Sequence, residues 1–108
     1  MAVDLPSLFK TLQSNIADLA KQSLSDYLTQ ATSDGNAVLS NLRDKIEQWS
    51  LQLSTGDLDS DDFKSLILGE KDLMKMDALT QQGLALVRID QFKNDACNLI
   101  VDTVTAFI

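Results

Sequence analysis

Apolar or small residues recur every three or four positions from Leu5 to Leu53: Leu5, Leu8, Leu12, Ile16, Ala20, Leu24, Tyr27, Ala31, Gly35, Val38, Leu42, Ile46, Trp49 and Leu53. This is the spacing of one stripe along an α-helix, whose period is about 3.6 residues. Asp4, Leu5 and Pro6 mark its start, with a carboxylate as N-cap and proline in the first turn, where a missing N–H costs nothing. Thr32-Ser33-Asp34-Gly35-Asn36 has the residues of a turn. Gly35 nevertheless falls on the stripe, and the phase of Val38, Leu42 and Ile46 continues that of the residues before it. The pattern predicts one long helix, bent or straight near Gly35, over two helices joined there. One such helix would be about 75 Å long at 1.5 Å per residue.

Ser54-Thr55-Gly56-Asp57 is a helix-ending turn. A short helix follows, capped by Asp59 or Ser60 and running through Leu68, with Gly69 at its end. With Asp59 as N-cap, Leu58 and Phe63 take the two positions of a hydrophobic staple. A second long stripe then runs from about Glu70 through Leu73, Met76, Leu79, Gly83, Leu86, Ile89, Phe92, Ala96, Ile100, Val104 and Phe107. The expected fold is all-α: an elongated antiparallel helical hairpin of two long helices with a short helix at the bend, forming a single domain over 1–108. Completion into a bundle is expected from a second copy. The last part of the second stripe is apolar on several sides, and one antiparallel neighbour covers only part of such a helix. Leu99, Ile100, Val101, Val104, Phe107 and Ile108 are therefore the expected oligomer interface, with a dimer favoured.

Composition agrees with the pattern. Pro6 is the only proline, and there are four glycines among 108 residues, too few for many short strands. The formal charge is −7 without any histidine. Six acids stand against four bases up to Ser54, and ten against five from Thr55 onward. Such a surface repels phosphate backbones and anionic headgroups over roughly a Debye length, so neither nucleic acid nor, at neutral pH, a membrane is expected as partner. No export leader is read in Met-Ala-Val-Asp-Leu-Pro, and no apolar run approaches the ~20 residues of a membrane span. A cytoplasmic location follows as the expectation.

The candidate chemistry is thin. Asp57, Asp59 and Asp61 repeat the first half of a calcium loop. Asp62 stands where its glycine belongs, and Leu68 where its bidentate carboxylate belongs. Capping and a favourable helix dipole explain these acids, with a weak cation site as the alternative. Cys97 lies in mid-helix with no histidine as its base, so a packed structural thiol is expected. The lack of histidine excludes Ser-His-Asp triads and histidine-bearing zinc sites. Trp49 lies on the stripe as a core residue and is followed by Ser50-Leu51, not by a residue and then glycine as in Trp-X-Gly hairpins. Gly83 and Ala85 suggest a close helix approach, with Arg88 and Asp90 exposed or paired. The reading is a non-enzymatic structural or protein-interaction module, without cofactor or metal, that self-associates and has an unidentified protein partner. Two alternatives are a site for a small apolar ligand near Trp49, Phe63 and Leu66, and a membrane-active helical protein.

Overall fold

The computed structural model describes residues 4–108, and every regular element among them is helical. The α-helices are α1 (Leu5–Ser23), α2 (Leu28–Asn41), α3 (Arg43–Thr55), α4 (Ser60–Gly69), α5 (Asp77–Gln81) and α6 (Leu86–Phe107), with 3-10 turns at Ser25–Tyr27 and Lys71–Leu73. Met1, Ala2 and Val3, which open the segment expected to carry no leader, lie outside the described residues. No helix among the described residues is long and apolar enough to cross a membrane.

Asp4 caps α1. Its carboxylate accepts from the Ser7 backbone N–H at 3.3 Å and from the Ser7 hydroxyl at 2.7 Å. These bonds, the hydroxyl's first, hold the Asp4 carboxyl below its ordinary value because they favour the charged form.

The expected long helix from Leu5 to Leu53 does not form. Leu24 leaves the helical region at φ −135°, ψ 50°, and the Tyr27 N–H donates to the Leu24 carbonyl at 2.9 Å to close a tight turn. α2 then returns antiparallel along α1. Gly35 faces Ile16, and further on the Arg43 guanidinium lies 4.9 Å from the centre of the Phe9 ring. At Leu42 the chain only bends. The helical hydrogen bonds from Leu42 to Val38 (3.0 Å) and from Ile46 to Leu42 (2.8 Å) persist across the bend. The stripe is nonetheless the buried side almost throughout. From Leu8 to Ile46 each of its members is buried except half-buried Tyr27, and Leu5, Trp49 and Leu53 pack against the core partly covered. Periodicity identified which side is inside and missed where the chain reverses.

Gly35 belongs to the helix, as the phase argument held, and its small size has a tertiary reason. A Cβ placed on it would fall well under 3.0 Å from Cγ2 of Ile16. The absent side chain lets α1 and α2 cross closely there.

Gly56, at φ 85°, ends α3 in the left-handed region that favours glycine. Asp59 is the N-cap of α4, accepting from the Asp62 N–H at 2.7 Å. Half-buried Leu58 and fully buried Phe63 occupy the staple positions.

The second stripe is also divided. After the 3-10 turn, Met74 is extended, α5 spans a single turn and a half, and Gly83 at φ 79° stops it. Leu73 and Leu86, both assigned to the stripe, are 71 % and 78 % exposed, while Leu84 off the stripe is buried. Nothing lies within 4 Å of a Cβ on Gly83, so it terminates a helix and does not permit a close approach.

These breaks supply α6 with more neighbours than a hairpin offers. It packs against α1, α4 and α5. Asn15 donates from Nδ2 to the Thr103 hydroxyl at 3.1 Å on one side, and Cys97 Sγ lies 4.0 Å from the Ile67 carbonyl on another. The molecule measures 43 × 24 × 19 Å with a radius of gyration of 13.7 Å, near the ~13 Å of a compact chain of this length. The all-α class stands, and the elongated hairpin gives way to a compact helical globule.

Candidate functional site

The six residues expected at an oligomer interface do not form one surface. Ile100, Val101 and Val104 are buried within the chain's own core. The sequence argument allowed α6 a single neighbour, so it overcounted the apolar area left uncovered. Leu99 is half-buried on the side facing α1, and Phe107 (38 % exposed) and Ile108 (43 %) reach water at the last turn.

A second apolar surface lies at the other end of α6, where Leu86 and Val87 are each 78 % exposed. Arg88 follows them, and its guanidinium lies 6.0 Å from the centre of the Tyr27 ring. That contact brings the first turn of α6 to the α1–α2 turn, where Leu28 is also exposed. Sequence reasoning placed Leu86 in the core and missed this end because the stripe was carried straight through Gly83.

Along the α1–α6 seam runs an open groove of about 470 Å³. Asn15, Asp18, Leu19 and Gln22 line it from α1, and Asp95, Asn98, Leu99, Asp102 and Thr103 from α6. The Asn15–Thr103 hydrogen bond ties its walls together. The ion pairs among the described residues are Arg43–Glu47 (3.2 Å), Lys45–Glu70 (2.6 Å) and Lys71–Asp90 (3.3 Å). Asp18, Asp95 and Asp102 enter none of them.

A smaller cleft of about 320 Å³ lies between α2, α3 and the Glu70–Lys75 segment, lined by apolar Val38, Leu42, Leu73 and Met74 and by polar Asn41, Lys45, Glu70 and Lys75. The expected ligand position near Trp49, Phe63 and Leu66 is different: Phe63 is fully buried in the core, and Trp49 packs against that core partly covered.

The remaining candidates have structural surroundings. Asp57 accepts from the Thr55 hydroxyl at 3.0 Å, Asp59 caps α4, and Asp61 lies in the first turn of that helix. No group of three or more acidic or cysteine side chains among the described residues has the arrangement to hold a metal ion. Cys97 is buried, 3.8 Å from the Met74 sulfur. Burial pushes its thiol up against a smaller opposite pull from Lys71, so the nucleophilic thiolate is disfavoured. Asp34, in the segment of turn-like composition that the phase assigns to a helix, is buried within α2 and accepts from the backbone N–H groups of Ala78 and Leu79 at 3.0 and 2.8 Å. It caps α5 from another helix. Ser50 is fully buried, and its hydroxyl is the one buried side-chain polar atom among the described residues without a partner.

No family model, curated protein or solved structure matches the chain.

Proposed function

We infer that the chain is a non-enzymatic helical interaction module that self-associates through apolar side chains at the ends of α6. The observation carrying this reading is the exposure of Leu86 and Val87, consecutive large apolar residues in water beside a core that needs neither. An exposed apolar group forfeits about 1.5–3 kcal/mol relative to full burial, so a contact covering both ends of α6 has a driving force the monomer leaves unused. Clustered exposed apolar residues are a feature of contact surfaces. Phe107 and Ile108 offer a second such position.

Light scattering over a range of protein concentrations tests the reading. Self-association is expected for the wild type, weakened by Leu86→Asp with Val87→Asp or by Phe107→Asp with Ile108→Asp, whichever end carries the contact. A wild-type chain that stays monomeric into the millimolar range would overturn self-association. A second reading, a small apolar ligand, is favoured by the Val38–Leu42–Leu73–Met74 cleft. Native mass spectrometry of purified protein would support it by a bound mass that Leu73→Asp removes.

A further inference from the structure

We propose that the α1–α6 groove is a docking site for a cationic amphipathic helix of another protein. This goes beyond self-association and rests on different residues. The groove has a shape and a charge that call for one kind of occupant. Its apolar strip is Leu19 and Leu99, each half-buried, one from either wall. Around that strip stand the carboxylates of Asp18, Asp95 and Asp102, none of which has a cationic partner among the described residues, and no lysine or arginine lines the groove.

Spacing along α6 sets the register. Asp95 and Asp102 are two turns apart on one face, about 10.5 Å at 1.5 Å per residue. A helix lying in the groove with Lys or Arg seven positions apart presents its charges at that same interval. Apolar residues between those charges, at the three- and four-residue spacing, fall over Leu19 and Leu99. Asp18, across the seam on α1, meets a third cation on the opposite flank. The Asn15–Thr103 bond joins the two walls before anything binds, so little ordering is required on docking. The formal charge of −7 raises the encounter rate for a cationic partner.

Charge also argues against a second copy in this groove. Two-fold pairing would set three uncompensated carboxylates against the same three. The expected self-association therefore belongs to the ends of α6, and the groove to a different chain.

The test uses the whole chain and a synthetic amidated peptide of Leu and Lys arranged as an amphipathic helix, beside a peptide of identical composition with that spacing scrambled. Backbone amide shifts and isothermal titration are recorded at low and high salt. The expected result is shifts centred on Asp18, Leu19, Asp95, Leu99 and Asp102. Affinity should fall with salt, and the scrambled peptide should bind more weakly. Asp95→Asn with Asp102→Asn should weaken binding about threefold to tenfold, the range for two exposed ion pairs. Asp102 is exposed and Asp95 half-buried, and neither side chain has an ion-pair partner among the described residues, so the fold is expected to survive; Asp18→Asn serves as a separate variant, and circular dichroism checks each.

Equal binding of the two peptides without shifts at the groove would overturn the proposal, because bulk acidity would then explain the attraction. Undiminished affinity in both folded variants, or no binding of the ordered peptide, would overturn it as well. Groove shifts that follow protein concentration alone would assign the surface to a second copy and also overturn it. Light scattering on the same samples keeps this outcome distinct from self-association at the ends of α6.

Discussion

The Asp34 carboxylate accepts a 2.8 Å hydrogen bond from the backbone N–H of Leu79, a residue forty-five positions further along the chain. Asp34 lies in the middle of α2 and Leu79 in the single long turn of α5, which is too short to be stable in isolation. With the second bond, from Ala78, the side chain satisfies two of the amides that a helix start leaves open. A residue type that disfavours a helix interior is kept there because its bonds lie elsewhere.

Asp34→Ala should therefore destabilise the fold by about 1–3 kcal/mol, the cost of leaving buried polar groups unpaired. The loss should be local before it is global. Amide hydrogen exchange at Ala78 and Leu79 should quicken more than in α1 or α6. Unchanged protection at Leu79 would contradict the capping role.

Gly35→Ala tests the adjacent position. Alanine gains up to ~1 kcal/mol in helix propensity, but its Cβ collides with Cγ2 of Ile16. Overpacking of this kind costs about 1–3 kcal/mol, so a net loss of stability is expected in urea melts. Ile16→Leu, which removes the branch methyl, should reduce that loss in a double-mutant cycle. A stabilising Gly35→Ala would show that the crossing is looser than described.

The stripe and the turn-like segment together show what was legible. Leu8, Leu12, Ile16, Ala20, Ala31, Val38, Leu42 and Ile46 were readable as core, and they are buried. The reversal at Leu24–Tyr27 was not readable, because Leu24 and Tyr27 keep the three- and four-residue spacing and both turn inward, so the turn has the signature of a continuing helix. The true turn also lacks glycine and proline, while the glycine in α2 serves packing. Gly83 misled in the opposite direction: counted as a small stripe residue, it is a helix stop. The antiparallel reading already set the end of the chain beside its start, as α6 lies beside α1; the groove between them was not readable, because helical spacing does not say which polar residues flank the seam.

Cys97 gives the fold an alkaline dependence. Its thiol is raised above the ordinary value of 9.0 by burial. The unfolded chain thus loses this proton at lower pH than the folded one. The contribution is fully present below the unfolded value and is lost as pH rises through the folded one. Thermal melts from pH 8 upward, of the order of ordinary thiol titration, should show a steeper decline for wild type than for Cys97→Ala. Parallel declines would contradict the assignment.

Asp59→Ala should cost about 1 kcal/mol as a lost N-cap. Calcium should not restore it, because the three carboxylates are engaged in turn and cap bonds or lie along the first turn of α4. Calcium binding tighter than ~10⁻⁵ M, the sensor range, would contradict this.

The compact fold requires that the chain reverse between Ser23 and Leu28. The apolar end of α6 also depends on it, because the α1–α2 turn sets the Tyr27 ring beside Arg88. Spin labels at Lys10 and Asn41, both exposed, measure this reversal, with Cys97→Ala as background. Helices packed side by side have axes about 8–10 Å apart, so the labels should lie within about 25 Å of each other once their arms are included. A continuous helix would place them about 46 Å apart at 1.5 Å per residue, and that separation would contradict the compact fold and the α1–α2 turn that meets the first turn of α6.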